Sequence, residues 1–222
     1  MEKRDERPVF RCHYRAQLAR NVSLPEETGN ACRRNAEEMI RDGSLMTCAL
    51  YIWGRQLFLY YEALGEACRP EGFMSPLDPL LSPWPQKDET VKWAEMYPVF
   101  WHCEPKDAED WKRNPPRTAR RGRIAYLRHE KMFEYVYHHF ALTREGLLKG
   151  DRYMSVALHE DVLFSYFEEP RSSENLRRSE EPSAAIRDWL ATDPSSHFYP
   201  LPGSGGANFL LIPAVFDCGL SS

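Results

Sequence analysis

The chain has 222 residues and a mass of 25.9 kDa, which is enough to bury the core of one large domain or of two small ones. Hydrophobic residues make up 42% of it and aromatic residues 13%, and this composition excludes an intrinsically disordered protein. The 29 Lys and Arg residues against 33 Asp and Glu residues leave a net charge of -4, so no overall positive field would attract nucleic acid or an anionic membrane.

The N-terminal segment and the apolar runs predict a cytoplasmic protein. Residues 1–8 are mostly charged and no apolar run follows them, which is not the pattern of a secretion signal. The apolar runs at 46–53 and 209–216 are far shorter than the roughly 20 residues that a membrane-spanning helix needs. We therefore expect no contact with a membrane and none with nucleic acid.

The first half of the chain has the pattern of a strand, a helix, a hairpin, a second helix and a last strand. Apolar periodicity, with glycine as the usual stop after a helix, predicts these elements. They are a strand at 9–18, a helix at 25–42 before Gly43, a hairpin at 49–62, a helix at 88–96 and a strand at 99–103.

The second half repeats this order, which predicts a tandem repeat. Its elements are a strand at 123–128, a helix at 132–149 before Gly150, a hairpin at 157–168, a helix at 183–191 and a strand at 209–217. Both hairpins begin with Ala-Leu and end in an aromatic run followed by Glu, which is Glu62 in the first and Glu168 in the second. Two copies of β-α-β-β-α-β predict the α+β class, with ferredoxin-like units at 1–118 and 119–222.

A basic segment lies at the predicted boundary near Thr118. Its cations are Arg113, Arg117, Arg120, Arg121 and Arg123. A run of cations can bind phosphate or nucleic acid, but this one has no interleaved aromatic side chains on which bases could stack. We interpret it as a solvated linker between the units.

The helix predicted at 132–149 carries the residues most able to do chemistry. Tyr135 and His139 are four positions apart and so share one face of this helix. An imidazole beside a phenol can accept and donate protons near neutral pH. The alternative interpretation is that Tyr135 belongs to the core and that His138 and His139 are half-exposed. None of the seven histidines has another four positions away, so we expect no metal site.

These motifs resemble those of the L-rhamnose mutarotases. The match consists of Tyr135-x-x-x-His139, Gly150 before the hairpin, Arg187-Asp188-Trp189 in the last helix and Trp93-x-x-Met96-x-x-Val99 in the first half. Members of this family are short β-α-β-β-α-β chains that pair sheet to sheet as dimeric α/β barrels. The resemblance implies that the two units here form a fused dimeric α/β barrel, as a monomer with an internal pseudo-dimer or as a homodimer.

The resemblance also implies an activity, in which an isomerase of carbohydrate metabolism interconverts the anomers of rhamnose or a related deoxy sugar. It would work by general acid-base catalysis without a cofactor. His139 would be the acid, with His138 as a competing candidate, and Tyr135 would contact a substrate hydroxyl. The other implied contacts with the monosaccharide are Trp189, Tyr153, Met154 and Trp93. The helix at 25–42 has no histidine, so the first unit would hold a degenerate site.

Two other functions stay open at this point. The barrel could be a non-catalytic ligand-binding or assembly module, which the missing histidine of the first half favours, or a cofactor-independent oxygenase of the same barrel class. An open pocket shared by Tyr135, His139 and Trp189 would favour the isomerase. Burial of these side chains in the core would favour the module.

Overall fold

The computed structural model describes residues 4–86, 89–171, 176–177 and 182–219. Within these ranges the chain folds into antiparallel β-sheets and three α-helices, which confirms the α+β class. The helices are α1 (Glu26–Arg41), α2 (Met132–Glu145) and α3 (Ala184–Ala191). The strands are β1 (Val9–Gln17), β2 (Leu45–Trp53), β3 (Gln56–Leu64), β4 (Trp84–Gln86), β5 (Glu89–Val91), β6 (Ala94–Glu95), β7 (Tyr97–Trp101), β8 (Ala119–Leu127), β9 (Leu148–Lys149), β10 (Ser155–His159), β11 (Val162–Glu169), β12 (Leu176–Arg177), β13 (Phe198–Tyr199), β14 (Leu210–Ile212) and β15 (Ala214–Gly219). None of the helices in these ranges has the length and apolar character needed to cross a membrane.

The chain forms two compact units, and each is built from separate stretches of sequence. Unit 1 consists of Met1–Met96, Pro105–Arg117 and Pro213–Ser222, and unit 2 of Tyr97–Glu104 and Thr118–Ile212. The long stretch of unit 2 begins at Thr118. Each unit is completed by a short segment from the other side of that boundary.

Unit 1 contains a five-stranded sheet in the order β15-β2-β3-β1-β6, with α1 packed against it. Cys32, Ala36 and Ile40 of α1 recur at helical spacing and join the apolar core of the unit. The predicted first strand, helix and hairpin are confirmed as β1, α1, β2 and β3. Gly54 makes the tight turn between β2 and β3 with a φ of 57°.

The helix predicted at 88–96 is wrong. Residues 87–88 lie outside the described part of the chain, and the residues that follow form the short strands β5 and β6. Thr90 and Val91 are β-branched and favour extended backbone, and β6 pairs with β1 at the edge of the sheet. Among its described residues, unit 1 therefore has α1 as its one α-helix and does not form a complete β-α-β-β-α-β unit.

Unit 2 contains a sheet in the order β13-β8-β11-β10-β7, with β14 also paired to β8. Side chains of β8 and β11 pack with Tyr135 and Leu142 of α2 to form its apolar core. The predicted hairpin and the helix at 183–191 are confirmed as β10, β11 and α3. The N-terminus of α3 is capped by Ser183, whose hydroxyl oxygen accepts a hydrogen bond from the Ile186 backbone N–H at 2.9 Å.

The helix predicted at 132–149 is about one turn shorter than expected. α2 ends at Glu145 because Gly146 takes the left-handed conformation, with a φ of 66°. Glycine adopts this conformation without the steric cost that a side chain brings, and it commonly stops a helix in this way. The stop is therefore Gly146, and Gly150 lies in the segment beyond.

The basic segment near residue 118 is not a solvated linker, so that prediction is wrong. Arg120, Arg121 and Arg123 lie in β8, and the guanidinium of Arg121 lies 3.1 Å from the carboxylate of Glu169 in β11. The guanidinium of Arg123 lies over the ring of Phe209, 4.6 Å from its centroid. These cations are part of the sheet of unit 2.

Arg113, the first cation of that segment, forms a buried ion pair in unit 1. The carboxylate of Glu62 on β3 is fully buried and accepts hydrogen bonds from the Arg113 guanidinium at 2.6 and 3.0 Å. It also accepts hydrogen bonds from Nε1 of Trp111 at 2.9 Å and from the hydroxyl of Tyr60 at 2.7 Å. This network fixes the segment that carries Trp111 and Arg113 to β3.

Candidate functional site

Unit 2 brings four of the predicted site residues together in a group of aromatic and imidazole rings. This ring cluster consists of Tyr135, His138 and His139 from α2, Trp189 from α3 and His197 from the short turn after α3. Side chains three and four positions apart meet on one face of a helix, which is why the α2 members lie together. α3 packs against α2 and so adds Trp189 to the same place.

The rings contact one another closely. The imidazole of His139 stacks on the ring of Tyr135, with centroids 3.7 Å apart and planes inclined by 21°. The indole of Trp189 meets both rings edge-on, with centroid distances of 5.7 Å to Tyr135 and 4.7 Å to His139. Phe100 of β7 also meets His139 edge-on, at 5.4 Å. The imidazole of His139 is thus framed by three aromatic rings.

One hydrogen bond and burial together determine the protonation of His139. Its Nδ1 lies 2.9 Å from the backbone carbonyl oxygen of Tyr135, and a carbonyl oxygen can only accept, so Nδ1 carries the proton and Nε2 a lone pair. Burial lowers the pKa of His139 to about 4, and this effect outweighs the carbonyl contact, which raises the pKa. His139 is therefore uncharged at neutral pH and acts as a hydrogen-bond acceptor.

The members of the ring cluster differ in their access to solvent. Tyr135, His138 and His197 are buried, with exposed fractions of 2%, 9% and 0%, whereas His139 and Trp189 are partly exposed. Burial also raises the pKa of the Tyr135 phenol above its ordinary range. Part of His139 and part of Trp189 therefore face solvent, whereas Tyr135 is covered.

Glu134 adds a charge beside the ring cluster. Its Oε2 lies 3.0 Å from Nε2 of His197 and 2.5 Å from Nζ of Lys131. The hydrogen bond from Lys131 holds the pKa of Glu134 below its ordinary value.

No local pattern in the sequence marks His197, because its partners are distant along the chain. Among the described residues, no three His, Cys, Asp or Glu side chains are grouped so that they could hold a metal ion.

The remaining predicted site residues are buried in the two units. Met154 belongs to the apolar core of unit 2. Tyr153 is also buried, and its backbone N–H donates to Oδ1 of Asp151 at 3.1 Å. Trp93 belongs to the core of unit 1, where it is 2% exposed.

A pocket of about 170 Å³ lies next to the ring cluster in unit 2. Its lining includes Phe198, Tyr199, Ser204 and Asn208 but no member of the ring cluster. Phe198 contacts both, since its ring also meets Tyr135 edge-on at 5.7 Å. This pocket is thus not the shared opening that the isomerase interpretation required.

Comparison with known proteins gives no family for the chain, since no protein-family model and no curated protein matches it. Similar solved structures include a "putative monooxygenase" from Lactobacillus acidophilus NCFM, which is 6% identical over 96% of each chain with a TM-score of 0.44. A second "putative monooxygenase", from Fusobacterium nucleatum subsp. nucleatum ATCC 25586, is 8% identical over 99% of this chain and 96% of its own, with a TM-score of 0.42. An anthrone oxidase-like protein is 7% identical over 97% of this chain and 94% of its own, with a TM-score of 0.38. Similarity at this level supports no inference about activity.

The resemblance to the L-rhamnose mutarotases is wrong, and so are the functions that it implied. No family model matches the chain, that of the mutarotases included, so the quoted motifs are its sole support. Tyr135 is too buried to contact a sugar hydroxyl. The roles of His139 and Tyr135 in an isomerase of carbohydrate metabolism acting on rhamnose therefore fall with the resemblance.

Proposed function

We propose that unit 2 binds a small, flat and largely apolar molecule at the partly exposed edge of the ring cluster. The observation that carries this proposal is the partly exposed imidazole of His139, which meets the rings of Phe100 and Trp189 edge-on at 5.4 and 4.7 Å. Aromatic rings with a few well-placed polar atoms are the usual composition of a small-molecule site. The first residues that such a ligand would contact are His139 and Trp189.

The tautomer of His139 specifies one feature of the ligand. Because Nδ1 donates to the Tyr135 carbonyl oxygen, Nε2 can only accept a hydrogen bond, so the ligand should carry an O–H or N–H group. The rings of Trp189 and Phe100 favour a planar apolar body, which can stack on them or meet their edges. A hydroxylated aromatic compound has both features.

The buried members of the ring cluster position the two that are accessible. Tyr135 stacks against His139 and also supplies the carbonyl oxygen that orients its ring. His197 lies 4.9 Å from the indole of Trp189 and 3.0 Å from the carboxylate of Glu134. We assign Tyr135 and His197 a positioning role in this site.

A tandem origin is part of the same proposal, in which the two units derive from one ferredoxin-like repeat and the first unit holds a degenerate site. Its support is a buried Tyr–Glu hydrogen bond that recurs in the second strand of each hairpin. The two bonds join Tyr60 to Glu62 at 2.7 Å and Tyr166 to Glu168 at 2.6 Å. Each glutamate lies opposite an arginine of the neighbouring strand.

A cytoplasmic location also belongs to the proposal, and six cysteines present as thiols suit a reducing compartment.

Calorimetric titration of the full chain tests the binding proposal. The titrants are hydroxylated aromatic compounds, with monosaccharides for comparison. We expect an aromatic compound to bind with a Kd below about 100 µM. Trp189→Leu and His139→Gln should each weaken binding about tenfold, the value of one net hydrogen bond or stacking contact.

The matched control is His129→Gln, because His129 is an imidazole of the same unit whose side chain is 76% exposed. Circular dichroism establishes that each variant is folded. If no aromatic compound binds, or if the His139 and Trp189 variants bind as well as the His129 variant, the proposal is wrong. Loss of binding on filling the neighbouring pocket with Asn208→Trp, without loss in the other variants, would place the ligand there instead.

A further inference from the structure

The outward side of α2 differs from that of α1 in exposing large aromatic side chains. Phe133, Tyr137 and Phe140 are 91%, 70% and 45% exposed. In contrast, the exposed side chains of α1 are all polar: Glu26, Glu27, Asn30, Arg33, Arg34, Glu38 and Arg41. An amphipathic surface helix normally turns its polar residues outward, as α1 does. The aromatic side of α2 therefore requires a separate explanation.

The three aromatic residues belong to a longer, regular row. Glu130, in the short 3-10 turn His129–Lys131 just before α2, comes three positions before Phe133, and Arg144 comes four positions after Phe140; both are exposed. The row Glu130, Phe133, Tyr137, Phe140, Arg144 thus has spacings of 3, 4, 3 and 4, the pattern along which two helices pack side by side. We name this row the α2 outer face.

The order of charges along the α2 outer face is complementary to itself. The face begins with a carboxylate and ends with a guanidinium, and Tyr137 lies at its middle. If two copies pair with α2 antiparallel about a two-fold axis at Tyr137, Glu130 lies opposite Arg144 of the second copy and Phe133 lies opposite Phe140. A parallel pair would instead place like charges together.

The aromatic side chains of the α2 outer face supply most of the area of such a contact. A buried Phe or Tyr removes about 150–250 Å² from solvent, so the exposed parts of these three side chains amount to about 300–500 Å² in each copy. Two copies would bury about 600–1,000 Å² from the rings alone, against the roughly 1,000 Å² that a specific interface requires. The flanking residues of α2 would add to it.

We propose that the α2 outer face is a self-association surface, on which a second copy of this chain docks with its α2 antiparallel to the first. This inference is independent of the proposed ligand site. The face is formed by Glu130 and by outward side chains of α2, whereas the ring cluster is formed by inward side chains of α2, by Trp189 of α3 and by His197.

Sedimentation of the full chain between about 1 and about 100 µM tests the proposal. We expect the mass to rise from 25.9 kDa toward twice that value as concentration increases. Tyr137→Glu should abolish the dimer in this range, because it places two like charges at the two-fold axis. Tyr97→Glu is the matched control, since Tyr97 is 66% exposed and lies on β7.

A charge exchange tests the antiparallel arrangement itself. Glu130→Arg and Arg144→Glu should each weaken the dimer about five- to tenfold, because each places like charges opposite one another twice per dimer. The double variant should restore the original affinity, since it reverses both charges of each pair. A monomer at every concentration would overturn the proposal, and so would equal loss in the Tyr97 variant. A double variant that stays as weak as the single ones would overturn it too, because a parallel pair or a different protein partner gives no restoration.

Discussion

Replacing Arg113 with methionine should destabilise unit 1 by about 3–5 kcal/mol, the cost of leaving a buried carboxylate without its counter-charge. The structure supports this magnitude, because Glu62 is fully buried and the Arg113 side chain is only 8% exposed. The pair has two hydrogen bonds, at 2.6 and 3.0 Å. Methionine keeps most of the apolar length of arginine, so loss of packing contributes little to the change.

The pH dependence gives a second test of the same reasoning. Burial alone would raise the pKa of Glu62. The positive charge of Arg113 and the hydrogen bonds from Arg113, Trp111 and Tyr60 outweigh burial and lower this pKa below its ordinary value of 4.5. The stability that Glu62 contributes is therefore present above that value and is lost as the pH falls through the lowered pKa. In Arg113→Met burial raises the pKa of Glu62, so the cost of the substitution should shrink as the pH falls toward 4.5.

Urea denaturation followed by tryptophan fluorescence and circular dichroism measures these free energies. The matched control is Arg121→Met, which removes an ion pair of similar length, 3.1 Å, between side chains that are 50% and 39% exposed. It should cost about 0–1 kcal/mol. The double variant Glu62→Gln with Arg113→Met should be more stable than Arg113→Met alone, because the buried charge is gone. Equal costs for the Arg113 and Arg121 variants, or no recovery in the double variant, would refute the reasoning.

Three further predictions concern histidine titration and the ends of the helices. Burial lowers the pKa of His13 to about 3 and that of His139 to about 4, whereas the unfolded chain protonates at the ordinary value of 6.5. The unfolded state therefore takes up protons first, and the free energy of unfolding should decrease as the pH falls from 6.5 toward 4. Urea titrations at several pH values measure this decrease, which should be smaller in His139→Gln; an equal decrease in that variant would contradict the prediction. Ser183→Ala should cost about 1 kcal/mol in the same assay, whereas Ser183→Thr should retain most of the cap; equal losses would argue against a capping role. Gly146→Ala should also cost about 1 kcal/mol, and Gly146→Asn less, because asparagine tolerates the left-handed conformation better; an alanine variant as stable as the parent protein would show that this conformation is not required.

Elements that depend on local signals could be predicted from the sequence. The two hairpins follow from apolar runs joined by a tight turn, and α1 from helical periodicity before Gly43. The contact of Tyr135 with His139 also follows from local geometry, since residues four positions apart meet on any helix. For the same reason a Tyr-x-x-x-His motif occurs in unrelated helices, and this explains why it suggested a wrong family.

Elements that depend on distant partners could not be predicted. The arginines of β8 have the local pattern of a solvated linker, and only pairing with β11 brings the Arg121 guanidinium to Glu169. Residues 94–95 form β6 because they complete the edge of the sheet beside β1, which no short window of sequence reveals. His197 joins the ring cluster through Trp189 and Glu134, and neither contact has a signature in its own turn.

The pairing of β15 with β2 has a consequence for synthesis of the chain. β2 reads Leu-Met-Thr-Cys-Ala-Leu-Tyr-Ile-Trp, and in the folded unit its outer edge is covered by β15, with Phe216 opposite Leu50 and Cys218 opposite Cys48. A ribosome makes residues 45–53 well before residues 214–219, so the growing chain carries this apolar edge unpaired while the residues between them are made. Unpaired edges of this kind recruit other strands. Unit 1 therefore completes its sheet only after unit 2 has been synthesised, and chains that stop short of residue 214 should aggregate through β2.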